Sequence, residues 1–228
     1  MVFQSLRPGE AGGLRVKSAS GTIQDEPLLA LNDRTSQVAN DWSSDGRFVV
    51  YEAAGASGRG GSDLWILPVS DAPSTRDGRA GIGEGRKPFP FVQAPGQQNR
   101  AVFAPDGHWI AHSSDESGIM QVMCNRFRRP GRFQVSRNGG AQAQWRADGK
   151  ELFFVVPDGT VMSAPIDTTR EFEAGTPVAL FNTGAQASAR RQHAVSRDGQ
   201  RFLAIVPERT STGSPLTVVV NWLAAVQK

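Results

Sequence analysis

Hydrophobic residues recur along this chain in short β-type runs, and the same polar turn follows four of them. Each copy consists of a bulky apolar residue, two spacer residues, an Asp-Gly pair and a new apolar run. The copies are Trp42–Gly46, Phe103–Gly107, Trp145–Gly149 and Val195–Gly199. Asp-Gly between apolar strands is a strong hairpin signal, because glycine adopts positive φ cheaply and aspartate hydrogen-bonds within its own turn. The pattern therefore predicts four β-hairpins.

These hairpins are spaced as in a repeat protein. The turn residues Asp45, Asp106, Asp148 and Asp198 are separated by 61, 42 and 50 residues. A period of roughly 40–50 residues built from β segments is typical of a β-propeller with one copy per four-stranded blade. We therefore predict an all-β propeller of about five blade-equivalents, which forms a single domain. The predicted blades are roughly 1–36, 37–96, 97–138, 139–185 and 186–228.

The first and last predicted blades are incomplete. Phe3–Leu6, Leu14–Ser18 and Pro27–Leu31 are predicted as strands b, c and d of a first blade without its innermost strand a, and the last blade lacks strand d. Closed propellers normally complete one blade with strands from both termini, which removes exposed edges. Here the two terminal blades duplicate strands b and c and do not complement each other in this way. We therefore expect a fragment of a larger protein, or an imperfectly closed propeller that forms a homodimer through its blade edges.

Composition excludes several classes of partner. The formal net charge is +3, and the basic cluster Arg126–Arg132 contains one aromatic residue, so no nucleic-acid partner is expected. No apolar run is long enough for a membrane span, and the N-terminus lacks the features of a signal peptide. The single cysteine, Cys124, lies in an apolar segment and is expected to behave as a small buried hydrophobe. These features leave the localisation of the protein unknown.

Several segments resemble the WD-like repeats of TolB-like β-propellers, in the right order along the chain. These segments are Asp41–Arg47, Ser62–Pro68, Asp115–Gly118, Trp145–Phe153 and Asn221–Trp222. They are most similar to the propeller at the C-terminal end of bacterial serine/threonine protein kinases. The resemblance implies a sensing or interaction module, which would be periplasmic in such a kinase and otherwise cytoplasmic. The sequence contains no Gly-rich loop followed by a strand lysine, no His-Arg-Asp and no Asp-Phe-Gly, so phosphoryl transfer is not implied.

The predicted binding site is the mouth of the axial channel, which strand a of each blade lines. Polar residues cluster five or six positions before the turn aspartates. Polar groups that converge in a concavity are the first candidates for a binding site. The predicted ligand-binding residues are Asn40, Asn99, Arg100, Gln142, Arg190, Gln192 and His193. We call this set the predicted mouth residues. They favour a non-catalytic module that binds a small molecule, protein or peptide without a cofactor.

The alternative is a small hydrolase of esters, phosphoesters or lactones that acts at the same mouth. His193 would be the general base, and Arg100 or Arg191 would stabilise the developing anion. Against this alternative, the sequence shows no nucleophile paired with His193 and no orienting carboxylate beside it. A serine hydrolase is rejected because there is no Gly-x-Ser-x-Gly nucleophile motif.

A metal site is not expected. His108 and His112 would lie about 13 Å apart on one strand and could not share an ion. A predicted pairing of His108 opposite Cys124 would supply two ligands, fewer than the three or four of a zinc site.

Overall fold

The computed structural model describes residues 1–5, 13–18, 24–30, 36–54, 60–69, 87–184, 192–206 and 217–220. All regular structure in these segments is β-strand, which confirms the predicted all-β class. None of the described segments forms a helix that could cross a membrane. The chain divides into two compact units, Met1–Phe103 and Ala104–Lys228, and each is described by itself.

Unit 1 contains two antiparallel sheets and one further strand. The first sheet has the order β1-β2-β3, and the second has the order β4-β5-β6-β7. The strands are β1 (Val2–Ser5), β2 (Gly13–Val16), β3 (Glu26–Ala30), β4 (Gln37–Trp42), β5 (Phe48–Ala54), β6 (Ser62–Pro68), β7 (Phe89–Val92) and β8 (Gln98–Phe103). In each sheet, consecutive strands are neighbours, as in the meander of a propeller blade.

Unit 2 continues the same pattern. Its strands are β9 (Trp109–Ser114), β10 (Gln121–Arg126), β11 (Arg132–Gln134), β12 (Ala141–Trp145), β13 (Glu151–Val155), β14 (Thr160–Asp167), β15 (Glu173–Ala174), β16 (Val178–Asn182), β17 (His193–Val195), β18 (Arg201–Ala204) and β19 (Thr217–Val220). Neighbouring strands run antiparallel. The short strand β15 was not predicted, and it pairs with Ile166 and Asp167 at the end of β14.

The four Asp-Gly turns form as the sequence predicts. In each turn the aspartate Oδ1 accepts a hydrogen bond at 2.9–3.0 Å from the backbone N–H two residues later. The glycines have φ between +70° and +74°, where a side chain would be strained. They are Gly46, Gly107, Gly149 and Gly199. The turn aspartates therefore have a structural role in every repeat.

The apolar cores lie between consecutive sheets. In unit 1, Leu14 and Leu28 of the first sheet pack with Val49, Tyr51 and Leu67 of the second. Strand β9 in unit 2 is buried at all six positions, because a strand in the middle of a blade is covered on both faces.

A second core, in unit 2, joins the sheet formed by β12 to β16 and the sheet with the order β17-β18-β19. Phe153 of β13 packs edge-on against Phe202 of β18, with ring centroids 5.1 Å apart. Val155 and Val161 complete the buried cluster. The apolar b strands thus pack between neighbouring sheets, as the sequence predicts.

The innermost strands contain irregularities that the sequence did not reveal. The register shifts between Ala39 and Asp41 in β4, and between Ala141 and Gln144 in β12. Arg100 and Gln142 have positive φ values of 54° and 61°. A bulge places two residues opposite one and re-aims the side chains. Strict alternation counted back from the turn aspartates is therefore wrong in β4 and β12.

Gln144 of β12 connects its sheet to β17. Its Oε1 accepts a hydrogen bond from the Val195 N–H at 3.1 Å, and its Nε2 donates to the His193 carbonyl. We expect Gln144→Leu to lower the free energy of unfolding by about 2 kcal/mol, because two backbone groups lose their partner. Urea denaturation measures the change. Gln200→Leu, at an exposed position, is the control, and equal losses in the two variants would contradict the prediction.

Candidate functional site

In unit 1 the structure brings together Asn40, Arg100 and a residue that sequence reasoning missed, Glu52. Asn40 Nδ2 donates to Glu52 Oε1 at 3.3 Å, and its Oδ1 accepts from the Ala101 N–H at 2.8 Å. Burial raises the pKa of Glu52, while the Asn40 hydrogen bond and the Arg100 charge act in the opposite direction. Burial also lowers the pKa of Arg100. The Asn40 amide thus connects β4, β5 and β8.

In unit 2 the structure brings together Gln142, Gln192 and His193. Gln142 is fully buried, and its Oε1 accepts a hydrogen bond from the Gln192 N–H at 2.7 Å. The His193 side chain is 5% exposed. These contacts join β12 to the start of β17.

The structure does not bring the other predicted mouth residues into either of these two groups of side chains. Asn99 is half-buried in β8 of unit 1. Arg190 and Arg191, the second of which was a candidate for anion stabilisation, lie outside the described residues.

Strand pairing places the histidine and cysteine candidates differently from the sequence prediction. Cys124 pairs with Ala111, so its predicted pairing with His108 is wrong; His108 precedes β9 and belongs to the Asp106 turn. Burial raises the pKa of the Cys124 thiol. Burial also lowers the pKa of His112 to about 4, and its Nε2 lies 3.1 Å from Asn125 Oδ1. Among the described residues, no group of three or more potential ligands could hold a metal ion.

A different concavity lies in unit 2, between two Asp-Gly turns. It has a volume of about 340 Å³ and is formed by the turns before β9 and β13 together with the residues at the end of β14. We call it the tryptophan cleft. Its lining consists of Ala104, Asp106, Trp109, Trp145, Asp148, Gly149, Lys150, Ile166, Asp167, Thr168 and Thr169.

Aromatic packing builds the floor of the tryptophan cleft. Trp109, at the start of β9, is 6% exposed and packs against Phe172 and Phe133 at centroid distances of 4.7 and 5.7 Å. The Arg126 guanidinium lies 5.5 Å from the Trp109 ring centroid. Trp145 is half-buried at the end of β12. These contacts hold the floor in place before any ligand is bound.

Carboxylates with fixed positions form the rim. Asp148 accepts hydrogen bonds from Arg146 Nε and Nη2, both at 2.8 Å, and these bonds lower its pKa to about 2. Asp167 Oδ1 accepts from the Thr169 N–H at 2.8 Å, which also lowers the pKa of that carboxyl. Both groups are therefore ionised at neutral pH and can accept hydrogen bonds from a ligand.

A smaller cavity of about 200 Å³ adjoins the tryptophan cleft, and we call it the side cavity. The two share Asp106, Trp109 and Thr168. The side cavity is more basic than the cleft. Its charged lining side chains include Arg126, Arg129, Arg170 and Glu171.

The tryptophan cleft is not among the sites that the sequence predicts. The turn aspartates belong to separate predicted blades, whereas Asp106 and Asp148 line the same cavity. One available signal was the tryptophan beside each of these turns: Trp109 follows Asp106, and Trp145 precedes Asp148. The remaining part of the lining, formed by Asp167 to Thr169, lies outside the Asp-Gly repeats, and no motif in the sequence marks it.

Three solved structures show what the fold is similar to. A protein described as TolB from Agrobacterium tumefaciens superposes with a TM-score of 0.56 at 15% identity, covering 79% of this chain and 60% of that one. A periplasmic gluconolactonase from Pseudomonas aeruginosa gives a TM-score of 0.52 at 15% identity, covering 90% and 58%. A puromycin-hydrolyzing peptidase from Mycobacterium tuberculosis gives 0.55 at 15% identity, covering 89% and 34%.

No protein-family model and no curated protein matches the sequence. The chain spans less than two thirds of the length of each of the three structures. At these identities the likeness shows the fold alone. The chain has the fold of an incomplete β-propeller, as its Asp-Gly repeats predict.

Proposed function

We propose that this chain is a non-catalytic binding module and that the tryptophan cleft is its ligand site. The observation that carries the proposal is the pre-formed floor of Trp109 and Trp145 beside the fixed carboxylates of Asp148 and Asp167. A concavity with apolar walls and a few oriented polar groups is the usual form of a small-molecule site. No rearrangement of the turns is needed to expose it.

The predicted mouth residues provide a second, less favoured location for binding. Asn40 and Gln142 accept hydrogen bonds from neighbouring backbone N–H groups, so their polar atoms already have structural partners. A general base must come within hydrogen-bond reach of its substrate, and His193 lines neither the tryptophan cleft nor the side cavity, which argues against that role. These contacts favour a binding module over the hydrolase alternative.

The segments Asp41–Arg47 and Trp145–Phe153 support a finer proposal on resemblance alone. They are similar to the sensor propeller at the C-terminal end of bacterial serine/threonine protein kinases. On this proposal the module senses or binds a partner for an attached catalytic domain and is periplasmic.

A turnover panel tests the non-catalytic proposal. Chromogenic esters, phosphoesters and lactones are incubated with the protein and with His193→Ala, each with and without chelator. We expect neither protein to exceed the uncatalysed rate. Turnover abolished in His193→Ala, with an unchanged circular dichroism spectrum, would establish the hydrolase. Turnover that persists in the variant would also contradict a non-catalytic module and would remove His193 from the mechanism.

A further inference from the structure

The tryptophan cleft combines an aromatic floor, ionised acceptors and hydroxyl groups, and this combination indicates a class of ligand. We infer that the cleft binds a neutral ring compound with several hydroxyl groups, such as a pyranose sugar. The inference rests on the proposed binding function and adds the chemistry of the ligand to it.

The charges around the cleft disfavour a charged ligand. The cleft is lined by three carboxylates and one lysine, which disfavours an anion. Arg146 already binds both oxygens of the Asp148 carboxylate, and three arginines line the adjoining side cavity, which disfavours a cation. A neutral ligand avoids both repulsions and the cost of desolvating a charge.

The aromatic floor favours a ring with an apolar face. Trp145 is half-buried and offers most of the aromatic surface of the cleft, while Trp109, at 6% exposure, adds only a small part and supports the floor from below. Tryptophan also attracts cations, but the Arg126 guanidinium already lies 5.5 Å from the centroid of Trp109. The C–H face of a sugar ring packs on such a surface without carrying a charge.

The polar wall matches hydroxyl groups because it contains both acceptors and donors. The Asp148 and Asp167 carboxylates can only accept, Lys150 can only donate, and the hydroxyls of Thr168 and Thr169 can do both. Each hydroxyl of a sugar can donate and accept, so a single ring can satisfy all three kinds of group. The volume of about 340 Å³ is near the lower end of the usual ligand-site range of roughly 300–1,000 Å³, which favours one or two rings over a longer polymer.

Binding is tested with methyl β-glucopyranoside, methyl α-mannopyranoside and myo-inositol, by isothermal calorimetry and by tryptophan fluorescence. Tetrahydropyran, which has the ring without hydroxyl groups, is the matched negative ligand. Choline and inorganic phosphate are the charged probes. We expect saturable binding of at least one hydroxylated ring and none of tetrahydropyran, choline or phosphate.

Two matched pairs of variants locate the site. Asp167 and Asp158 are both exposed and each accepts a 2.8 Å hydrogen bond from the backbone N–H two residues later, but only Asp167 lines the cleft. Trp145 and Trp42 stand at the same repeat position, and only Trp145 lines the cleft. We expect Asp167→Asn and Trp145→Phe each to raise the Kd about tenfold, the effect of roughly one charge-assisted hydrogen bond or stacking contact. Asp158→Asn and Trp42→Phe should leave the Kd unchanged.

The outcomes separate the ligand class from the proposed function. If choline or phosphate binds and no hydroxylated ring does, with the Asp167→Asn effect retained, the ligand class is wrong and the binding function stands. If none of the probes binds, the ligand class is likewise wrong. If a sugar binds but both variant pairs respond equally, the site is wrong. Release of free sugar from the methyl glycosides would overturn the proposed function itself.

Discussion

Gly61→Ala is expected to destabilise unit 1 by roughly 3 kcal/mol or more, because a methyl group at this position has no room. A Cβ on Gly61 would lie 2.0 Å from the Gly96 carbonyl oxygen and 2.5 Å from its carbonyl carbon. Both are backbone atoms, so a rotamer change cannot relieve the clash. The next residue, Ser62, forms a bridge with Gln97 and donates its Oγ–H to the Gln98 carbonyl at 3.0 Å, which fixes the close approach.

Gly60 offers a matched control for this prediction. Gly60 and Gly61 both have positive φ, at 73° and 86°, but a Cβ on Gly60 would meet no atom of the described residues within 4 Å. Gly60→Ala should therefore cost only the left-handed backbone penalty of about 1–2 kcal/mol. Urea unfolding followed by circular dichroism gives both values. Equal destabilisation in the two variants would show that the approach of Gly61 to Gly96 is not a constraint in solution.

The stability of the protein is expected to fall as the pH drops below about 6.5, because His112 is buried in its neutral form. Burial lowers its folded-state pKa to about 4, so between pH 4 and pH 6.5 the unfolded state binds a proton that the folded state does not. The stability that neutral His112 contributes to the folded state is therefore present above pH 6.5 and is lost as the pH falls towards 4. At about 1.4 kcal/mol per pH unit, the loss is roughly 2 kcal/mol between pH 6.5 and pH 5.

The measurement compares urea unfolding curves at several pH values for the parent protein and for His112→Gln. The variant retains a polar side chain near Asn125 but cannot titrate. Its free energy of unfolding should therefore fall by roughly 2 kcal/mol less than that of the parent between pH 6.5 and pH 5. His108→Gln, at the exposed turn position, is the control for the replacement of a histidine by glutamine. Identical pH dependence in His112→Gln and the parent would contradict the assignment.

The parts of the structure that could be predicted are those that local sequence determines. An Asp-Gly pair forms its turn from its own backbone and side chain, and all four turns appear where the sequence places them. The strands beside them follow because apolar runs between turns have to be buried. The bulges at Asn40 and Gln142 could not be predicted in the same way, since the backbone groups that these side chains bind, at Ala101 and Gln192, are distant in the sequence.

The candidate site could not be predicted either, because its residues are distant from one another in the sequence. Asp106, Asp148 and Asp167 come from three separate segments, and no motif in the sequence connects them. Phe172 contacts Trp109 only because the chain after β14 returns towards β9. The hairpins that border the cleft can be predicted from the Asp-Gly repeats. The cleft itself depends on how those hairpins pack, which the repeats do not specify.

Chemical-shift mapping of the amide and indole groups during titration with methyl β-glucopyranoside tests whether the tryptophan cleft is the binding site. We expect the shifts of Trp109, Trp145 and Asp167 to change in a saturable way while those of Gln142, Gln192 and His193 do not. Saturable changes confined to Gln142, Gln192 and His193 would contradict this expectation and would place binding among the predicted mouth residues.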